Sequence, residues 1–194
     1  MRKIFTMGCL FLIALSCNAQ IVPVEQLENF TKANGIPDGT YFKDINHLFD
    51  KYVGTWKGSY NNKEYTFYIT KYTEVDTDFK FSQDMILVRY LITNPDGSIV
   101  EDTRNLPDDD GLVITGSEFS SKFESYYMRY GGREAKCGQN GTLALRPKEG
   151  NQMTVCLLLY GEYFDGWAGT DCPQGRVVSP FPHISKGLIW LTKQ

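Results

Sequence analysis

Alternating apolar and polar positions dominate the chain from residue 54 onward. Around residues 65–70, for example, Tyr65, Phe67 and Ile69 alternate with more polar neighbours. A period of two residues is typical of a β-strand with one buried face. Similar runs predict nine strands, at residues 56–60, 64–72, 84–93, 98–102, 111–115, 120–130, 141–147, 152–160 and 184–191.

Three of the intervening segments have the composition of hairpin turns. They are Asn-Asn at 61–62, Asn-Pro-Asp-Gly at 94–97 and Lys-Glu-Gly-Asn at 148–151. Short strands joined by tight turns form an antiparallel meander, which must close or stack to protect its edges. We therefore predict a mainly β fold, an antiparallel meander closed as a β-barrel, with a β-sandwich as the alternative.

One segment before the strands has a different period. In residues 44–53, Ile45, Leu48, Phe49 and Tyr52 follow Asp44 at helical spacing. Aspartate is a favoured residue at the N-terminal cap of a helix. This pattern predicts one short amphipathic N-terminal helix that leads into the first strand.

The first 19 residues have the pattern of an export signal. Arg2 and Lys3 precede an apolar run at 10–15, which is too short to span a bilayer. We expect release after Ala19; the alternative is cleavage before Cys17, which would expose that cysteine for lipidation. The predicted organisation is a signal peptide at 1–19, a lead segment or tether at 20–40 and a single barrel-like domain at 41–194.

The export signal predicts that the protein is located in the periplasm, at the outer membrane if Cys17 is lipidated, or outside the cell. The chain has 20 basic and 23 acidic side chains without a basic patch, which argues against nucleic acid as a partner. Contact with a membrane is expected only through the lipid anchor. The sequence does not indicate the oligomeric state.

Motifs for catalysis and cofactors are missing from the sequence. His47 and His183 are the two histidines, too few for a zinc-protease helix or a multi-histidine metal site. There is also no phosphate loop, dinucleotide fingerprint or nucleophile elbow. We therefore expect no metal, no cofactor and no enzymatic activity.

Two sets of acidic residues suggest alternative functions, as a hydrolase or as a calcium-binding protein. Glu162 and Asp165 lie among aromatic residues that could stack on sugars, and a carboxylate pair is what a glycoside hydrolase needs. Ordinary surface acids at a strand end explain the same residues. The run Asp108, Asp109 and Asp110 offers oxygen ligands for calcium, but its spacing differs from that of an EF-hand, and a solvated turn is favoured.

The cysteines suggest one disulfide. Cys137 and Cys172 both lie beyond the open end of the hairpin predicted for residues 141–160, which makes them the favoured pair. Other pairings, or no bridge, remain as alternatives. Cys156 lies within an apolar strand, where a thiol usually packs as part of the core.

The segment Gly54-Thr55-Trp56, at the start of the first strand, resembles the Gly-x-Trp opening of the lipocalin-type calycin barrels. The resemblance implies a lipocalin-like β-barrel in which Trp56 closes one end of the cavity. We interpret Trp56 as a core plug packed by the short helix, with ligand contact as the alternative.

Arg89 interrupts the apolar run of residues 85–92. If it faces the barrel interior, it could bind a ligand carboxylate in a bidentate contact, with Tyr127 or Arg129 from another strand as partners. The favoured interpretation is that Arg89 lies on the outer, solvated face.

Two further segments, Cys17-Asn18-Ala19-Gln20 and residues 53–58 (Val-Gly-Thr-Trp-Lys-Gly), make the chain similar to secreted Bacteroidota proteins with a domain of unknown function. The sequence as a whole favours a non-catalytic exported protein that binds a small apolar or amphiphilic ligand in the barrel. The alternatives are a carbohydrate-active hydrolase using Glu162 and Asp165, and a structural or interaction protein of the cell envelope.

Overall fold

The computed structural model describes residues 20–32, 35–158 and 179–194. Within these ranges, eleven strands form a single sheet. The strands are β1 (Ile21–Pro23), β2 (Tyr41–Lys43), β3 (Gly54–Tyr60), β4 (Lys63–Asp76), β5 (Phe81–Thr93), β6 (Ile99–Asp102), β7 (Ile114–Phe119), β8 (Tyr126–Gly131), β9 (Asn140–Lys148), β10 (Gln152–Leu158) and β11 (Ile189–Lys193). The helix α1 spans Leu27–Lys32, and single 3₁₀ turns lie at Val24–Gln26 and Ala135–Cys137.

Eight of these strands close into an antiparallel barrel. Neighbouring strands follow the chain order β3, β4, β5, β7, β8, β9, β10 and β11, and β11 pairs back with β3. Pairing between β5 and β7 completes the ring, while β6 pairs with β5 outside that path. The prediction of a mainly β meander closed as a barrel is confirmed.

The strand positions follow from the local sequence. Each of the nine predicted strands overlaps an observed one, from β3 to β11. The three predicted hairpin turns are also present. Asn61 and Asn62 link β3 to β4 with φ values of 47° and 61°. Asparagine tolerates this left-handed conformation better than most residues, which explains a two-residue turn here.

The helix expected at residues 44–53 is not formed, and the short N-terminal helix is α1, earlier in the chain. Residues 44–53 instead make a series of turns, in which His47 has a φ of 54°. A left-handed residue interrupts a right-handed helix. The predicted helix position was therefore wrong, although the apolar spacing that suggested it has another cause.

That cause is a plug at one end of the barrel. The Asp44 carboxylate accepts hydrogen bonds from the backbone N–H groups of Leu48, at 2.6 Å, and Phe49, at 3.3 Å, as an N-terminal cap would. Phe49 and Tyr52 are fully buried in the core. Phe49 and Tyr52 thus hold a segment of turns against the core, and their spacing resembles that of one face of a helix. We call this segment, residues 44–53, the plug.

The lead segment is part of the folded body over its described residues. β1 pairs in parallel with β2, and β2 pairs in parallel with the beginning of β5, so both extend the sheet beside the ring. Val22 and Val24 are only 4% exposed. Residues 20–32 therefore pack on the barrel, which a simple tether would not do.

Aromatic rings pack together in the described interior of the barrel. Phe181 lies among side chains from three strands, with ring centroids 4.9 Å from Tyr130, 5.2 Å from Tyr90 and 5.9 Å from Phe67. The chain beside it is held by the Tyr65 hydroxyl, which donates a hydrogen bond to the Pro180 carbonyl at 2.7 Å. These rings occupy space in which a lipocalin-like carrier would hold its ligand.

Candidate functional site

Arg89 lies on the outer face of the barrel. Its neighbours Val88 and Tyr90 are buried in the core, and side chains alternate between the two faces of a strand. The Arg89 guanidinium donates to the Leu106 carbonyl at 3.0 Å and to Asp108 Oδ1 at 2.5 Å. Arg89 therefore fastens the connection between β6 and β7 to β5, and it does not face the interior as the carrier hypothesis required.

Tyr127 and Arg129 lie on the outer face for the same reason. They alternate along β8 with Tyr126, Met128 and Tyr130, all of which are buried. Tyr127 is half-buried and Arg129 is exposed. The structure therefore does not bring the two arginines and Tyr127 together around the barrel interior.

Trp56 is a buried part of the core, with 2% of its surface exposed. Its Nε1 donates a hydrogen bond to the Tyr52 carbonyl at 2.6 Å, so the plug holds the indole in place. Lys193 on β11 lies over the ring, with Nζ 5.4 Å from the ring centroid. Trp56 thus ties the plug to the closure between the first and last strands of the ring.

Several predicted residues lie outside the described ranges: Cys17, Glu162, Asp165 and Cys172. The carboxylate pair and the lipidation site stay predictions for that reason. The same holds for the disulfide, of which Cys137 is described within its 3₁₀ turn. Cys156 is a free, buried thiol, as expected, and burial raises its pKa.

Three acids in and near the acidic run at residues 108–110 pair with arginines. Asp108 binds Arg89, as described above. The two carboxylate oxygens of Asp102 accept hydrogen bonds from Arg104 at 2.7 and 2.9 Å. Glu101, whose pKa is raised by burial, lies 3.6 Å from Arg133. Within the described ranges, no three or more His, Cys, Asp or Glu side chains are grouped so that they could hold a metal ion.

A cavity of about 370 Å³ lies in the wall of the barrel, and we call it the lateral cavity. β5 and β7 pair only through Leu87 with Thr115 and Val88 with Ile114. Beyond these pairs, β5 takes β2 as its neighbour, with Phe42 opposite Gln83. β7 thus separates from β5, and the lead segment covers the resulting gap.

One part of the lateral cavity is apolar and another is polar. The apolar part consists of residues from the lead segment and from the β7–β8 connection: Val24, Leu27, Phe119, Phe123 and Tyr126. The polar part includes three carboxylates, two amides and several hydroxyls, among them Glu25, Glu28, Asn29, Gln83, Glu118, Thr31 and Ser117. Such a mixture is typical of sites that bind small organic molecules.

Some polar groups around the lateral cavity lack partners within the described ranges. Glu25 Oε1 accepts a hydrogen bond from Asn46, but its buried Oε2 has none. Gln83, which also lines the cavity, is only 6% exposed. Burying a polar group without a partner costs stability, so a ligand that supplies donors and acceptors would be favoured here.

Tyr126 contributes a second unpartnered group. It is 1% exposed, and its hydroxyl has no hydrogen-bond partner among the described residues. The ring reaches over Gly116, where an added Cβ would lie 2.2 Å from the hydroxyl oxygen. Only glycine at position 116 leaves room for this ring. Burial raises the pKa of Tyr126 well above its ordinary value, so the hydroxyl keeps its proton.

Sequence reasoning missed the lateral cavity. Glu25 lies in the segment expected to be a tether, and Gln83 lies just before a predicted strand. Their proximity depends on where β7 leaves β5, which is a property of the closed ring. No local pattern in either segment signals it.

The part of the chain that the structure describes contains no helix with the length and apolar character needed to cross a bilayer. Comparison with curated proteins gave no match, and comparison with solved structures gave none either. Residues 1–131 match a protein family of unknown function, DUF6705, and the chain belongs to that family.

Proposed function

We propose that this protein is an exported, non-catalytic binding protein for a small amphiphilic ligand, and that the ligand binds in the lateral cavity. The observation that carries this proposal is the combination of an apolar part and unpartnered polar groups within one cavity of about 370 Å³. The original expectation of a ligand in the barrel interior has less support, because Phe181 and its aromatic neighbours occupy that space.

The lateral cavity suits an amphiphile because its two parts offer different interactions. Leu27 and Phe119 present apolar surface, and burying the chain of a ligand against them gains about 25 cal/mol for each Å² removed from water. Glu25 and Gln83 offer hydrogen bonds to a polar head. Covering these groups would also remove part of the cost of their burial.

Export is supported by the sequence of residues 1–19, with its basic start and short apolar run. Lipidation of Cys17 would anchor the protein at a membrane surface. In that case only three residues, 18–20, separate the anchor from β1, which begins at Ile21. The lateral cavity would then be held close to the membrane, where amphiphiles are concentrated.

Native mass spectrometry of the protein purified from its own cell envelope tests the proposal. We expect a co-purifying small molecule, and we expect Thr31→Trp to abolish its binding, because Thr31 lines the lateral cavity. Thr70→Trp is the matched control, since Thr70 is an exposed threonine on β4, away from the cavity. Loss of the molecule in both variants, or its retention in both, would contradict binding at this site.

The filled interior also favours a second candidate, a structural or interaction protein of the envelope. Such a protein needs a stable body and no ligand, and the apolar residues Ile184 and Trp190 are at least half exposed. The same spectra separate the two candidates. A consistently ligand-free protein that co-purifies with an envelope protein would support the second.

A further inference from the structure

We infer that the lateral cavity recognises a cationic amphiphile, a molecule with an apolar chain and a protonated amine, and that Glu25 binds the amine. This inference rests on the proposed function and adds the chemical class of the ligand. It depends on the charges that line the cavity and on the unpartnered groups within it.

The charged side chains that line the lateral cavity are all acidic. Glu25, Glu28 and Glu118 contribute carboxylates, whereas no lysine or arginine is among its described lining residues. Lys51 is not a lining residue, although it donates a hydrogen bond to the carbonyl of the lining residue Phe123 at 3.1 Å. A cavity lined by one sign of charge attracts ligands of the opposite sign.

The unpartnered groups require donors as well as positive charge. Glu25 Oε2 is buried and can only accept hydrogen bonds. An ammonium group carries three donors and a positive charge, so it can donate to Glu25 Oε2 and keep further donors for other acceptors. An alcohol has one donor and no charge, and a carboxylate would meet the glutamates with like charge.

Position also favours Glu25 over the other two glutamates. Asn46 holds Oε1 of Glu25, which fixes the direction of the carboxylate without neutralising it. Glu25 also lies next to Val24, which is buried, and two residues from Leu27, which belongs to the apolar part of the cavity. An amine bound at Glu25 would therefore leave its chain beside Leu27.

Three ligands with the same chain test the inference: decylamine, decanol and decanoate, each titrated calorimetrically into the mature protein. We expect decylamine to bind about tenfold more tightly than decanol, as a charge-assisted hydrogen bond predicts, and decanoate to bind most weakly. Equal affinity for the amine and the alcohol would overturn the inference and leave the proposed function intact. Absence of binding by all three would contradict both.

Single substitutions test whether the amine of the ligand binds at Glu25. Glu25→Gln keeps the shape of the side chain and removes its charge, so it should lower decylamine affinity about tenfold and leave decanol affinity unchanged. Glu64→Gln, on an exposed glutamate of β4, should change neither. If Glu25→Gln does not fold, Glu118→Gln on β7 gives a smaller loss in the same direction. Unchanged selectivity for the amine in both cavity variants would overturn the inference.

Discussion

The Nζ atom of Lys71 lies 3.0 Å from Asp44 Oδ2 and joins the plug to β4. The Asp44 side chain is only 3% exposed, and it also accepts the backbone N–H groups of Leu48 and Phe49. One buried carboxylate therefore fixes the internal turn of the plug and its attachment to the barrel.

We expect Asp44→Ala to lower the free energy of unfolding by about 2–3 kcal/mol, because it leaves two backbone N–H groups without their acceptor and removes the buried one of the two carboxylates that pair with Lys71. Urea denaturation measures this change. Asp50→Ala is the control: Asp50 also pairs with Lys71, at 2.6 Å, but it is largely exposed. Its effect should be much smaller. Equal effects of the two substitutions would show that Asp44 does not organise the plug.

Substitution of Phe181 tests how much this buried ring contributes to the stability of the core. Its ring packs against Tyr130, Tyr90 and Phe67, and no more than 2% of it is exposed. Phe181→Ala should destabilise the protein by about 3–5 kcal/mol, from lost contacts and the space left behind. Ile184→Ala, at a residue that is 53% exposed, should have little effect. A loss below about 1 kcal/mol for Phe181→Ala would mean that the barrel interior does not depend on this ring.

The buried tyrosines predict a specific response to alkaline pH. Burial raises the pKa of Tyr65 and of Tyr130 to about 12, from an ordinary value of 10.0. Because the unfolded chain releases these protons more readily, the resulting stability is fully present below pH 10 and is lost as the pH rises towards 12. Ultraviolet absorbance of tyrosinate measures it.

At a pH of about 11, the native protein should show less tyrosinate than the same protein in denaturant. The 12 tyrosines include at least five that are buried: Tyr52, Tyr65, Tyr90, Tyr126 and Tyr130. Identical titration curves in the two conditions would contradict the burial of their hydroxyl groups.

Thiol counting tests the predicted disulfide. Release after Ala19 leaves Cys137, Cys156 and Cys172. With a bridge between Cys137 and Cys172, unfolding without reductant should expose one thiol, and reduction should expose all three. In the native protein Cys156 should react slowly, since burial raises its pKa and disfavours the thiolate.

Cys137→Ser should then lower the free energy of unfolding by about 3–4 kcal/mol, because the bridge restricts the unfolded chain. Thermal unfolding with and without reductant measures the same contribution in the unmodified protein. Three reactive thiols before reduction would exclude the bridge.

The barrel strands could be predicted because each depends on local alternation. In β4, for example, Tyr65, Phe67 and Ile69 are buried, and the residues between them are more accessible. Turn residues such as Asn61 and Asn62 then mark where the direction reverses. These signals are short in range, so the sequence alone located the meander well.

Local alternation alone could not fix the outward position of Arg89 in the same way. β5 is apolar on both faces, and the outward residues Met85 and Leu87 are as well buried as the inward Val88. Alternation therefore does not reveal which face carries the charge. The closing of the ring decides it, and that depends on pairing across more than a hundred residues.

The prediction of a helix at residues 44–53 was wrong for a related reason. Phe49 and Tyr52 are spaced as on one face of a helix, and two turn-forming anchors produce the same spacing. The hydrogen bonds to the Asp44 carboxylate, together with the left-handed His47, select the turns. The energy that decides this local structure comes from contacts with the barrel.

The side chain of Phe181 occupies part of the barrel interior and belongs to the same chain as the barrel. A free ligand fills a site only above its dissociation constant, whereas a ring attached to the same chain is present at a high effective concentration regardless of supply. The ring of Phe181 is thus held in the interior at all times, independently of any free ligand. Replacing Phe181 by a small residue would remove this attached ring from its place among Tyr130, Tyr90 and Phe67.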